Sequence, residues 1–377
     1  MELVTAQMTI TTVEPRHLRV PLDAPIPASA ARPRTEALAI HLVRVACDDG
    51  SVAWGEAWWQ ESAELDEALA ALSSVVCGAH PLDRGALWER MVDRLTGLKQ
   101  PLPGGAAALS AIDVALWDLA GRAAGMPVYR MLGGRRLARL DAYALGIYLE
   151  EPDVAARKAR ELLGRGFHAL KIKFGAGLER DLAVLEAVRD AVGPQVPVLV
   201  DANQGGGDRA AALEVGAALD RHEAFWYEEP LAPGDWSDYV ALRHALDTPI
   251  AGGERLRSPG AFVEAFRVGA LDVAMPDVRI CGGITGLVKT AELARWFGVR
   301  VSPHNWVSRL GAIASANAAV TLPNCLMTEI EATPTVVDER LLDPPLRLDD
   351  GFLVVPDGPG LGVTVNESFV EEFATGA

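Results

Sequence analysis

The sequence predicts an α/β fold: a TIM-like barrel of alternating strands and helices, preceded by an α+β unit. Three observations lead there. From about residue 140 short apolar strands alternate with amphipathic helices, which implies a parallel sheet, and about eight such repeats fit a closed barrel better than an open sheet. Before that point strand-like runs come first and helical runs second, the order of an α+β arrangement. Polar residues also recur at the carboxyl ends of the later strands, where a barrel gathers its chemistry.

Each element has its own signal. "QMTITTV" reads as a strand and "PLDAPIPASAARPR" as a Pro- and Ala-rich loop over roughly residues 21–34. The β-branched run "ALAIHLVRVAC" then turns at Asp48-Asp49-Gly50 into "SVAWGEA". Helices are expected near 62–78, 83–97 and 105–124; the last has Ile112, Leu116 and Leu119 at helical spacing and "GMP" as its stop. The barrel strands are "DAYALGIY", "FHALKIKF", "VPVLVDA", "AFWYEEP", "TPIAGGE", "LDVAMPD", "VRVSPH" and "CLMTEIE". Gly205 to Gly207 lack the context of a phosphate-binding loop and read as a turn before a helix start at Asp208. After residue 331, "DGFLVVPDGPGLGV" reads as strands and turns that return to the first unit. The expected domains are therefore 1–130, 131–330 and 331–377.

With 377 residues, half of them apolar, the chain is long enough for a large core and a smaller partner domain. Its 35 Lys plus Arg against 51 Asp plus Glu give a formal charge of −16, which argues against nucleic acid or an anionic membrane as partner. "MELVTAQMTI" lacks the pattern of a secretory signal, and no apolar run approaches the roughly 20 residues of a membrane span, so a soluble cytoplasmic protein is expected. Cys47, Cys77, Cys281 and Cys325 are scattered without metal or disulfide spacing and read as reduced, packed thiols.

Lys171 and Lys173 lie two apart in "FHALKIKFG", so both point to one side of a strand while Leu170 and Ile172 point to the other. An isolated pair of this kind most often guards a sheet edge. The later strand ends overturn that expectation. Asp201, Glu228, Glu254, Asp277, His304 and Glu329 each close a strand, and from Lys173 onward they are 23 to 28 residues apart, one βα unit each. In a barrel such positions meet at one mouth. Three carboxylates there, Asp201, Glu228 and Glu254, would repel one another unless they shared a cation, and hard oxygen donors select Mg²⁺, with Mn²⁺ as substitute. Asn203 is a candidate support or substrate contact, and Glu229 with Pro230 shapes the adjoining loop. A nearby divalent ion and mutual repulsion favour a neutral amine on one lysine, which can then act as a base. His304, oriented by Asp277, supplies a second acid/base group. The set can remove the proton α to a substrate carboxylate and stabilise the enediolate through the metal and the Lys171 charge. A Schiff-base aldolase barrel would share the inward lysine but has no need of three strand-end carboxylates.

"LKIK", "VDAN", "YEEP", "GGE", "MPD…GGITG" and "SPH" occur in the order found in the enolase superfamily, and over nearly its whole length the chain resembles the mandelate racemase subgroup. That resemblance implies a (β/α)7β barrel with the α+β unit as a cap over its mouth. It implies Asp201, Glu228 and Glu254 as metal ligands, Lys173 and the His304–Asp277 dyad as bases, and Lys171 and Glu329 as contacts of the substrate carboxylate. An acid at 277 separates the chain from the muconate-lactonizing subgroup, where a second lysine is expected. One departure is Leu145 in "AYALGI", where mandelate racemase places a serine; it argues against mandelate as substrate. The cap loops near 21–34 and 55–62 would select the substrate, with Arg32, Arg34, Trp58 and Trp59 as candidates and Arg32 and Trp58 as the expected substrate contacts. The implied substrate is a small carboxylic acid. The expected reaction is dehydration of a hydroxy or sugar acid to a 2-keto-3-deoxy acid, with racemisation or epimerisation as the alternative, and such barrels often form homo-oligomers.

Overall fold

A computed structural model of the chain describes residues 8–232 and 236–375. The N-terminal unit opens with three antiparallel strands, β1 (Ile10–Ile26), β2 (Thr35–Cys47) and β3 (Val52–Ala57), in that order across the sheet. The expectation of a loop from residue 21 is corrected: β1 continues through Ile26, with Pro21 opposite Ala37 and Ile26 opposite Thr35. Its prolines are tolerated because β1 is an edge strand, where a missing N–H breaks no central ladder. Gln7, the first residue of the expected strand, lies outside the described residues. Three helices follow where the periodicity predicts them, α1 (Ser62–Val76), α2 (Arg84–Thr96) and α3 (Gly105–Ala124). They share an apolar core with the sheet, built around Leu65, Leu72, Met91, Ile112 and Leu116.

A short helix, α4 (Val128–Met131), leads into the barrel. Its eight parallel strands are β4 (Leu140–Ile147), β5 (Ala169–Lys173), β6 (Val198–Asp201), β7 (Tyr227–Glu228), β8 (Ile250–Gly252), β9 (Val273–Ala274), β10 (Arg300–Val301) and β11 (Thr328–Glu331). Each pairs with the next from β4 to β10, and β11 pairs back onto β4. The ring closes where the Leu326 N–H donates to the Val301 carbonyl at 2.8 Å. The outer helices are α5 (Pro152–Gly164), α6 (Leu178–Val192), α7 (Arg209–Arg221), α8 (Trp236–Ala245), α9 (Pro259–Val268), α10 (Gly283–Trp296) and α11 (Arg309–Ala319). Asp208 caps α7 by accepting from the Ala211 N–H, so the glycines before it form a turn.

The C-terminal segment continues with α12 (Val336–Arg340), β12 (Leu342–Asp343), β13 (Leu348–Asp349), β14 (Phe352–Leu353), β15 (Thr364–Val365) and α13 (Glu367–Phe373). Strand β14 pairs with the start of β4, and the Thr375 N–H donates to the His17 carbonyl of β1 at 2.8 Å. The segment thus touches both the barrel's amino-terminal end and the N-terminal sheet.

The cap docks on the barrel through the "GGITG" turn. Asp113 of α3 accepts from the Thr285 N–H and hydroxyl (2.9 and 2.7 Å), and the Trp88 indole donates to the Gly282 carbonyl at 2.8 Å. Gly283 has φ +73°, and a Cβ there would lie 2.3 Å from the Asp113 carboxylate, so this contact requires glycine. All four cysteines are free, three of them buried and Cys77 half-buried. Among the described residues no helix is long and apolar enough to cross a membrane.

Candidate active site

Strand β5 is a central barrel strand, and its parallel register sets Lys173 beside Asp201, which in turn lies beside Glu228 on β7. One oxygen from each of Asp201, Glu228 and Glu254 falls within 4.8 Å of the others, in a fully buried cluster. Asp201 and Glu254 do not cap the helices that follow them, whose N-caps are Asp208 and Ser258. The "GGE" turn that delivers Glu254 depends on Gly253: its φ is +101°, a Cβ would meet the Phe262 ring at 2.6 Å, and its N–H donates to the Glu229 carboxylate at 2.6 Å. Glu229 thereby braces the loop, and burial together with the neighbouring Glu254 pushes its pKa up to about 7. The Glu254 Oε2 atom is buried and, although His304 Nε2 lies 3.3 Å away, accepts no hydrogen bond among the described residues. A converging set of hard oxygens with one orphaned acceptor fits a small divalent cation such as Mg²⁺.

The two lysines occupy different environments. Lys171 is fully buried, with its ammonium 2.8 Å from Glu228, 2.7 Å from Glu329 and 3.5 Å from Asp201. Burial works against its charge, but Glu228 and Glu329 outweigh that and hold its pKa well above the ordinary lysine range. Lys173 bonds Asp201 alone and reaches the mouth cavity. Burial opposes the charge on Asp201, yet Lys173 and Lys171 keep that carboxyl below its usual range.

On the other side of the mouth the Asp277 and His304 backbones form a parallel bridge at the ends of β9 and β10. His304 Nδ1 lies 2.8 Å from Asp277, leaving Nε2 directed at Glu254 (3.3 Å) and Glu329 (3.9 Å). Burial lowers the imidazole pKa, but Glu254 and Glu329 more than compensate and raise it overall. Glu329 also accepts from the Asn305 N–H at 3.0 Å.

Two residues in this network are not visible to sequence reasoning. Arg279 donates twice to Asp277 (3.0 and 2.6 Å), holding its carboxylate in the ionised form, and its guanidinium extends 3.5 Å to Glu56 on cap strand β3. Glu56 in turn accepts from Ser308 at 2.6 Å. The Glu in "AWGEA" is the only signal the sequence offers, since a charge in an otherwise apolar strand requires a partner once buried.

A cavity of about 360 Å³ opens above these groups. Lys173, Asn203, Glu254 and His304 line it, whereas Lys171, Asp201, Glu228, Asp277 and Glu329 are fully buried and absent from its wall. Asn203 sits in a left-handed conformation (φ 45°), with its N–H and amide on Asp201 at 2.7 and 3.3 Å. Trp58 stacks on His304 with ring centroids 5.2 Å apart and also covers Arg279. Arg32 reaches the wall, while Arg34 is spent on an exposed ion pair with Glu36. Trp59 touches the cavity but ties its indole to Glu64 at 2.9 Å. Leu145 is fully buried, and the first barrel strand presents Tyr148 to the cavity instead.

A parallel barrel whose mouth gathers these carboxylates, lysines and a carboxylate-bound histidine beneath an α+β cap defines an enzyme fold of the enolase superfamily. Within it, the chain belongs to the mandelate racemase / muconate lactonizing enzyme family: residues 8–133 match that family's N-terminal domain and residues 154–369 the enolase C-terminal domain-like family. It is 34% identical to D-galactarolactone cycloisomerase of Agrobacterium fabrum over 97% of this chain and 99% of that protein. It is also 34% identical to D-gluconate dehydratase of Thermoproteus tenax over 88% of this chain and 69% of that protein. The crystal structure of a racemase from Streptomyces coelicolor with bound magnesium superimposes with a TM-score of 0.88 at 27% identity, covering 97% of this chain and all of that one. Its relatives are thus sugar-acid dehydratases, cycloisomerases and racemases.

Proposed function

We propose that this chain removes the proton α to the carboxylate of a small hydroxy or sugar acid and eliminates the β-hydroxyl, releasing water and a 2-keto-3-deoxy acid. Asp201, Glu228 and Glu254 would hold Mg²⁺, for which Mn²⁺ can substitute, and the bound ion supplies Lewis-acid polarisation of the substrate carboxylate. Lys173, at the cavity wall with one carboxylate contact, takes the α-proton. Lys171, held among three carboxylates behind the cavity wall, supplies positive charge that favours the charge building on the enediolate oxygens. His304, its Nδ1 on Asp277 and its Nε2 beside Glu254 and Glu329 at the cavity wall, donates a proton to the departing β-hydroxyl; the resulting enol becomes the 2-keto acid.

The observation that carries this reading is the placement of Lys173 and His304 on the wall of one cavity, with the carboxylate cluster beside both. The same placement supports a second reaction, inversion of the α-carbon, for an acid with no β-leaving group: one group removes the proton and the other returns it. Incubation with aldonic and aldaric acids and Mg²⁺ in D₂O separates the two. Release of 2-keto acid supports dehydration, and α-deuterium in unchanged or inverted acid supports racemisation. Turnover that persists after EDTA treatment contradicts both.

A further inference from the structure

Unlike Arg34 and Arg255, which also stand near the mouth, Arg32 has no acidic partner. Arg34 pairs with Glu36 at 2.9 Å and Arg255 leans on Glu254 at 3.8 Å, but no carboxylate among the described residues forms an ion pair with Arg32. Its guanidinium instead lies over the indole of Trp306, 4.4 Å from the ring centroid, and 5.7 Å from that of Tyr148. Glu331, a carboxylate close enough for Arg32 to feel its charge, is already engaged by the Tyr148 hydroxyl and by the Thr333 N–H at 2.8 Å.

The side chain is held in place. Nη1 donates to the Pro33 carbonyl at 3.2 Å and to the Thr35 hydroxyl, and Nη2 donates to the Pro27 carbonyl at 3.3 Å. Of the five guanidinium N–H groups, Nε–H and one Nη2–H therefore have no partner among the described residues, and these are the pair that a carboxylate can bridge. The loop that carries them is itself tied down. Ser29 and Arg32 exchange two backbone hydrogen bonds (2.9 and 3.3 Å), and the Leu149 N–H at the end of β4 donates to the Ala28 carbonyl at 3.3 Å. Burial disfavours the charged guanidinium and lowers its pKa, a cost that an incoming anion would offset. A half-buried cation pre-set on two aromatic rings, with its fork open and the neighbouring Glu331 occupied, has the chemistry of a carboxylate receptor.

We propose that Arg32 binds a second carboxylate at the far end of the substrate, so that the preferred acid is a dicarboxylate with one end at the Asp201–Glu228–Glu254 cluster and the other on Arg32. This rests on the proposed α-proton chemistry for the assignment of the reacting end.

Matched pairs differing only at the far carbon test it: glucarate against gluconate, and galactarate against galactonate. Their binding is measured by calorimetry on the Mg²⁺-loaded protein, alongside α-hydrogen exchange in D₂O. We expect each diacid to bind at least tenfold more tightly than its monoacid, Arg32→Met to abolish that ratio, and Arg32→Lys to restore part of it. Equal affinity within each pair overturns the inference, as does loss of both affinities together in Arg32→Met while its melting temperature matches the parent. A binding preference for diacids without exchange of any acid leaves Arg32's role standing and removes the reaction beneath it. Equal binding and equal exchange of monoacids and diacids does the reverse.

Discussion

The two ends of the barrel are built from the same strands yet follow opposite rules. At the amino-terminal end the interior is filled by Tyr143, Ala169, Leu199, Trp226, Ala251, Val273 and Met275, an apolar layer. Two residues further along three of those strands, the inward positions become Lys171, Asp201 and Glu228, with no loss of burial. Alternation puts both layers on one face, so what changes is only whether the next side chain is apolar or ionised. The lower layer gains from burial. The upper one opposes it, and is held by ion pairs, by the indole of Trp226 reaching up to Glu228 at 3.0 Å and by the site a cation can take. Stability and chemistry therefore sit about one strand repeat apart.

This contrast predicts that substitutions one step apart fail in different assays. The largest effect is expected from Glu228→Gln. It should lower kcat/KM by about 10³-fold by weakening metal binding and altering the site's charge. The melting temperature of the metal-free protein should change little, because the amide removes the repulsion from Asp201 that, with burial, holds the Glu228 carboxyl well above its usual range, but also removes one of the three carboxylates around Lys171. A clear drop in that temperature would show that the upper layer is structural. Leu199→Ala, two residues before Asp201, should do the converse: denaturant titration should show a loss of about 2–5 kcal/mol, with kcat of the folded protein unchanged. A large fall in kcat there would mean the layers are not separable. The smallest effect is expected from Glu56→Gln, which leaves the mouth residues intact and removes only the cap's charge on Arg279. A fall in kcat of about tenfold with KM unchanged is expected, since partners behind a catalytic group typically contribute 10- to 100-fold; a change confined to KM would place Glu56 in substrate binding instead.

Much of the barrel could be read in the sequence because its repeat is covalent. One βα unit has a nearly fixed length, so polar residues 23 to 28 apart fall at equivalent strand ends, and the structure brings Asp201, Glu228, Glu254, Asp277, His304 and Glu329 together around the lysine pair. The three cap helices were legible for a similar reason, through their period. Arg279, Glu56 and Tyr148 were not. Arg279 lies 223 residues from Glu56, and their contact is set by the docking of α3 against α10 rather than by any spacing along the chain. Tyr148 falls three residues beyond Leu145, past an irregularity in the β4–β5 register that moves the strand's last mouth-facing side chain. The end of β1 was misread because Pro-rich composition signals a loop locally, whereas an edge position in a sheet is a property of the whole fold.

Glu56 and Trp58 leave the same short strand end, one to the arginine that grips Asp277 and the other onto the face of His304. The lid that would choose the substrate would therefore also belong to the proposed acid/base apparatus. Grafting the cap of a related enzyme onto this barrel to change specificity would replace both contacts at once, so a working hybrid must carry Glu56 and Trp58 across with the barrel or bring its own equivalents.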